Sequence, residues 1–220
     1  MKVAIDGPAG AGKTYIAKAV AKNLDFVYVD TGALYRGIGL FMLRNGVEPD
    51  NKEAVLPLLP QIKEEIRHEN GEQRVFLNGE DITGLIRTEE ISKAASDVSA
   101  IAEVRAFLYR TQRDIAENNN VVMDGRDIGT VILPDAELKL FMTASPEVRA
   151  KRRKAQLAEK GIDASYEEIL ADIIQRDYND SHREASPLKM AEDGVLIDNS
   201  EMSIEENIEK VEELIKARWK

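Results

Sequence analysis

A chain of 220 residues, 43% of them hydrophobic, can bury a substantial core as one domain or as a core domain with an insertion. Its formal net charge of −10 argues against general affinity for nucleic acid or anionic membranes, so a polyanionic ligand must meet a local concentration of positive charge. The absence of cysteine excludes disulfides, thiol catalysis and cysteine-ligated metals.

The N-terminal MKVAIDGPAG contains an apolar stretch too short for a signal or membrane segment, so a cytoplasmic protein without a membrane partner is expected. Residues 3–5, VAI, read as a buried strand. GPAGAGKT follows at 7–14 and matches G-x-x-x-x-G-K-[ST]. Chance alone yields this pattern in about one chain of this length per hundred, and the strand before it and the helix after it make a bare glycine turn a poor account. The helix carries Ile16, Val20 and Leu24 on one face. Gly7, Gly10 and Gly12 let the backbone curl so that successive N–H groups face phosphate oxygens, and the helix adds its positive dipole end. Lys13 then reaches the outer phosphates and Thr14 offers a hydroxyl to Mg2+. The expected ligand is a nucleoside triphosphate, ATP, held by Gly7, Pro8, Ala9, Gly10, Ala11, Gly12, Lys13, Thr14 and Tyr15.

Further along, FVYV (26–29), the apolar start of NNVVMDGRD (119–127), LKLFMT (138–143) and VLI (195–197) supply four more strands. With helices between them the chain reads as an α/β fold on a parallel sheet. Residues 62–96 break the alternation: NG at 70–71 and again at 78–79 predict a small antiparallel sheet, and RTEEISKAAS (87–96) a short helix. His68 and His182 lie in polar surroundings and read as surface residues. Ligands in open α/β sheets bind beyond the carboxyl ends of strands, where Asp124, Arg126 and Asp127 would stand. Asp124 suits either a Mg2+ site or a turn beside Gly125. EVRAKRRKAQLAEK (147–160) predicts a charged helix ended by Gly161, with Arg149, Arg152 and Arg153 on one face. RDYNDSHR (176–183), if helical, puts Arg176, Asp180 and Arg183 together, as a solvated ion-pair row or as a clamp for an anion that also carries hydroxyls. Five arginines between 149 and 183 are a concentration of charge on an acidic chain, though a solvated helix face accounts for them too.

GPAGAGKT, DTGALYR (30–36), IRTEEISKAAS (86–96), DGRDIGTVILPDAELKLFMTAS (124–145), RAKRR (149–153), RDYNDSHR and SPLKMAEDGVLIDNS (186–200) together resemble the bacterial cytidylate kinases, nucleoside monophosphate kinases with a P-loop. The motifs come in the family's order over nearly the whole chain, and DTGALYR with DGRDIGTV points to this family rather than to P-loop proteins at large. The resemblance implies a P-loop NTPase core with a five-stranded parallel sheet, a helical lid and an enlarged monophosphate-binding region containing the small antiparallel sheet. On one cytidylate kinase domain, the expected core is 1–60, 100–145 and 185–220, the insert about 61–99 and the lid about 146–184.

It also implies roles by position. Lys13, Arg149, Arg152 and Arg153 would act on the transferring phosphoryl group, the three arginines from the lid. Thr31 and Arg36 would line the CMP site, and Ser96, Arg105 and Asp127 would address the edge of cytosine, whose amine needs an acceptor and whose O2 and N3 need donors. Arg126 and Arg183 would hold the monophosphate, Arg176 and Asp180 the ribose hydroxyls, and Thr14 with Asp124 a Mg2+. The implied substrates are CMP and dCMP, the implied state a monomer. Tyr15 stands where a small hydroxyl residue is expected, which bears on the adenine side. Two other readings are a related kinase with a different acceptor and a GTP-dependent switch. The switch lacks its guanine-reading motif, since Asn51-Lys52-Glu53-Ala54 has no aspartate at the fourth place.

Overall fold

The computed structural model describes residues 1–69 and 71–219. Each of the five apolar runs becomes a strand of one parallel sheet: β1 (Lys2–Asp6), β2 (Val27–Asp30), β6 (Val121–Gly125), β7 (Leu138–Thr143) and β8 (Val195–Asp198), in the order β2-β6-β1-β7-β8. β1 and β6 are buried almost throughout, as strands covered on both faces must be, whereas β7 alternates, with Leu138, Leu140 and Met142 buried and Lys139, Phe141 and Thr143 half-buried. Three more strands, β3 (Glu64–Glu69), β4 (Glu72–Leu77) and β5 (Glu80–Asp81), form the expected separate antiparallel sheet. The helices are α1 (Lys13–Leu24), α2 (Gly32–Arg44), the single turn α3 (Lys52–Val55), α4 (Glu89–Ser99), α5 (Ala102–Glu117), α6 (Pro146–Glu159), α7 (Tyr166–His182) and α8 (Ile204–Lys216). No helix among the described residues is long and apolar enough to cross a membrane.

The chain divides into two compact units, Met1–Val27 with Asn120–Lys220, and Tyr28–Asn119. In the first, β1 lies between β6 and β7 with Ile5 level with Asp124 and Leu140, so the polar residues that end β1 and β6 finish side by side. A π-helical turn, Ile128–Ile132, follows β6. Helix α6 starts on Ser145, whose hydroxyl accepts from Val148 N at 3.2 Å, and stops at Gly161, whose φ of +74° only glycine adopts readily. Ala150 and Leu157 of α6 pack on Ile169 and Ile173 of α7 as a small separate cluster.

In the second unit α2 and α4 pack over a large apolar core that runs from Leu34 and Ile38 to Val104 and Leu108. Asn78 (φ +50°) and Gly79 (φ +88°) make the two-residue turn between β4 and β5, with Leu77 opposite Glu80. Of the other expected turn, Gly71 has φ +78° and Asn70 lies outside the described residues. His68 and His182 are exposed, as their polar neighbourhoods suggested.

Candidate active site

The phosphate loop joins β1 to α1, and its geometry demands its glycines. Gly7 has φ +149°, and a side chain there would place Cβ 1.9 Å from the carbonyl oxygen of Met142. Gly12 caps α1 at φ +85°. Lys13 is buried in the first turn and its ammonium donates to the carbonyl of Pro8 at 2.7 Å. Burial pushes this lysine down to about 7, with Arg126 adding to the push and Asp124, Asp6 and Asp180 opposing it. Thr14 Oγ1 donates to Asp124 Oδ2 at 3.1 Å. Tyr15, the residue that departs from expectation, is 60% exposed.

Thr14 and Asp124 offer a hydroxyl and a carboxylate, the hard oxygen donors Mg2+ prefers, at one point beside the loop. Among the described residues no three acidic, histidine or cysteine side chains gather into a metal cage.

RDYNDSHR occupies the last turns of α7 and is not a solvated row. Asp180 is buried, the side chain of Arg183 is 5% exposed and Arg176 is half-buried. Asp180 accepts from Arg126 Nε at 2.8 Å, which ties α7 to the end of β6, and Arg183 Nη1 lies 3.7 Å from its other oxygen. Burial works against the Asp180 charge, but Arg126, with Arg176 and Arg183, outweighs it and holds the carboxyl below the usual range. Arg183 also donates from Nε to Ser186 O at 2.9 Å. Asp127 is buried at the head of the π-helical turn.

The three arginines of α6 are placed differently from one another. Arg149, 2% exposed, donates to Ala144 O at 2.8 Å and to Ala9 O in the phosphate loop at 3.0 Å, and forks onto both oxygens of Asp177. Arg152 donates to Asn199 Oδ1 at 3.0 Å and to its carbonyl at 2.8 Å, while Asn199 Nδ2 donates to Ala11 O in the loop at 2.8 Å. Arg153 is half-buried. Asp177 and Asn199 escaped the sequence reading because each acts through a partner far along the chain. Both lie inside family motifs, Asp177 in RDYNDSHR and Asn199 in SPLKMAEDGVLIDNS, which is the only hint the sequence offers.

The second unit has its own polar centre. Thr31 is buried at the head of α2, and Arg36 one turn on donates to Asp30 Oδ2 at 2.7 Å. Arg87, not singled out from sequence although it sits in IRTEEISKAAS, donates to the same oxygen at 3.1 Å. Burial raises Asp30, but Arg36 and Arg87 prevail and hold it below the usual carboxylate range. Arg105 is buried, donates to Ser99 O at 3.2 Å and lies 5.2 Å from the ring of Tyr35. Ser99 Oγ in turn donates to Ser96 O at 2.8 Å, so Ser96 and Arg105 are joined through one residue.

The profile of the family described as "Cytidylate kinase" matches residues 3–217. The cytidylate kinase of Caldicellulosiruptor bescii is 49% identical over 97% of this chain and 95% of its own length. That of Lactobacillus gasseri is 46% identical over 100% and 96%. Among solved structures, the shikimate kinase of Bacteroides thetaiotaomicron covers 98% of both chains with a TM-score of 0.50 at 16% identity, a likeness of fold alone.

Proposed function

The chain belongs to the cytidylate kinase family, and we propose that the residues just described divide the family's reaction among them. The protein is a nucleoside monophosphate kinase that transfers the γ-phosphoryl group of ATP to CMP, giving CDP and ADP. One convergence supports the division of roles: Lys13 of the phosphate loop feels Arg126, Asp124 and Asp180, which come from motifs more than a hundred residues away. A triphosphate site and an arginine-rich acceptor site therefore adjoin.

A phosphate oxygen of CMP attacks the γ-phosphorus, the new P–O bond forms, and the bond from γ-phosphorus to the bridging oxygen of ADP breaks. The attacking oxygen is already ionised near neutral pH, so no general base is required. Positioning and charge stabilisation do the work. The ammonium of Lys13 follows the β- and γ-phosphates; their charge reverses the downward push that burial gives it. Arg126 and Arg183 bind the CMP phosphate, already held apart and oriented by Asp180. Arg176 and Asp180 meet the sugar hydroxyls, and dCMP is the second acceptor. Asp127 accepts from the cytosine amine. In the other unit Thr31, Arg36, Ser96 and Arg105 serve CMP, with Asp30 fixing the guanidinium of Arg36. Arg149 acts as a strut on the loop, whereas Arg152 and Arg153 close over the transferring group and exclude water. Thr14 and Asp124 hold Mg2+, which when bound neutralises phosphate charge.

The test is a coupled assay with ATP and CMP, dCMP, UMP or AMP, on the wild type and Asp127→Ala. The wild type should prefer CMP. The variant should show a higher KM for CMP and a narrower lead over UMP, because a carboxylate matched to an amine is mismatched to the uracil carbonyl. An unmoved CMP/UMP ratio would remove Asp127 from the base site.

A further inference from the structure

Asp6 ends β1 and immediately precedes the phosphate loop, yet nothing in the reaction above uses it. Its buried carboxylate accepts two backbone N–H groups, Oδ1 from Ile128 and Oδ2 from Gly129, each at 2.7 Å. These amides open the Ile128–Ile132 turn, and first-turn amides have no partner within their own helix. The residue preceding a helix normally caps them itself, and aspartate is among the best caps. Here that residue is Asp127, with φ −143° and ψ +26°, and its side chain makes no cap hydrogen bond. The cap arrives instead from β1, 122 residues away along the chain. The carboxylate of Asp127 is thus left to other partners, and its backbone is set by a bond anchored in the central strand of the sheet.

We propose that Asp6 is a positioning residue for base recognition: it caps the turn in place of Asp127, so that Asp127 can present its carboxylate to the acceptor base. This rests on the role of Asp127 proposed above. It also links the two substrates physically, because the residue after Asp6 is Gly7, the first of the phosphate loop.

The decisive variant is Asp6→Asn, which keeps the shape but faces two donors with one acceptor and one donor. A charge-assisted hydrogen bond lost in this way predicts a fall of at least about tenfold in the CMP/UMP ratio of kcat/KM. The KM for CMP should rise, and that for ATP should change by less than about threefold, because the loop's phosphate donors are untouched. The double variant with Asp127→Ala should discriminate no worse than Asp127→Ala alone, since Asp6 acts through Asp127. If Asp127→Ala narrows the ratio and Asp6→Asn does not, the inference fails and the base-reading role of Asp127 stands. If Asp127→Ala itself leaves the ratio unmoved, that role falls and the inference with it. A rise in the KM for ATP equal to that for CMP would assign Asp6 to the phosphate loop instead. A further measurement needs no variant: the Ile128 and Gly129 amides of the wild type should exchange with solvent as slowly as those of β1. Fast exchange would show that the two bonds are absent and would overturn the proposal even if Asp6→Asn fails to fold.

Discussion

The end of β1 and β6 and the small β3–β4–β5 sheet are both rich in charge, and they treat it oppositely. At the strand ends Asp6, Lys13, Asp124, Asp127 and Asp180 are all buried, and burial is the largest influence that moves Asp6 up to about 6 and Lys13 down to about 7. In the small sheet Arg67 pairs with Glu65 and Arg74 with Asp81, each at 2.8 Å, through side chains that reach solvent. Hydrogen bonds to Lys63 and Arg67 pull Glu65 down to about 2, and those from Thr83 and Arg74 do the same for Asp81. Water screens the second set. The first set is costly to assemble, and such groups persist where a bound charge gives them something to act on.

Within the small sheet one residue behaves like the strand ends. Both carboxyl oxygens of Glu64 are buried without a hydrogen-bond partner among the described residues. They lie so close to α2 that a Cβ on Gly37 would stand 1.7 Å from Oε1. Burial alone pushes this carboxyl well above the usual range. Gly37 is glycine because the acid occupies the space its side chain would need.

The contrast breaks most sharply at Lys13. Lys13→Ala should lower turnover by about three orders of magnitude or more while the melting temperature shifts by only a few degrees, because the lost charge acts chiefly on the transferring phosphoryl group. Near-normal turnover would put Lys13 in the same class as the screened surface lysines. Next come the residues of RDYNDSHR. Arg183→Ala should reduce kcat/KM for CMP and dCMP alike by about 10- to 150-fold, a charged hydrogen bond to the phosphate that both share. Asp180→Asn should weaken both as well, since Arg126 loses its partner, and should cost CMP a further factor through the 2′-hydroxyl. Unchanged kinetics in both variants, with a small drop in melting temperature, would make the buried cluster a purely structural one.

The smallest effect is at Glu64 and concerns stability. A carboxyl whose folded pKa is raised contributes stability that is fully present below the unfolded value of about 4.3, and this is lost as pH rises through the folded pKa. Glu64→Gln removes that dependence. Melting followed from pH 5 to pH 8 should show the variant gaining on the wild type by about 3 °C or more, at 2 to 4 °C per kcal/mol for a chain of this size. Asp81→Asn, on an exposed pair, should show no such widening. A constant offset for Glu64→Gln at every pH would mean that its carboxyl titrates in the usual range.

Sequence alone determined the five parallel strands, the phosphate loop, the turn at Asn78–Gly79 and the stop at Gly161, because each rests on local chemistry: apolar runs that must be buried, or backbone angles that only certain residues adopt. It also assembled the family motifs, whose order needs no coordinates. Tertiary structure decided what each charge does. Local spacing left RDYNDSHR open between a surface row and a clamp, and only the approach of Arg126 from the end of β6 made Asp180 a buried hub. The pairing of Arg149 with Asp177, of Arg152 with Asn199, and the cap that Asp6 lends to the turn after Asp127 were equally beyond reach. The reason is physical: a hydrogen bond or a desolvated charge depends on which atoms lie within about 3 Å, and for these residues those atoms come from strands and helices far apart in the chain.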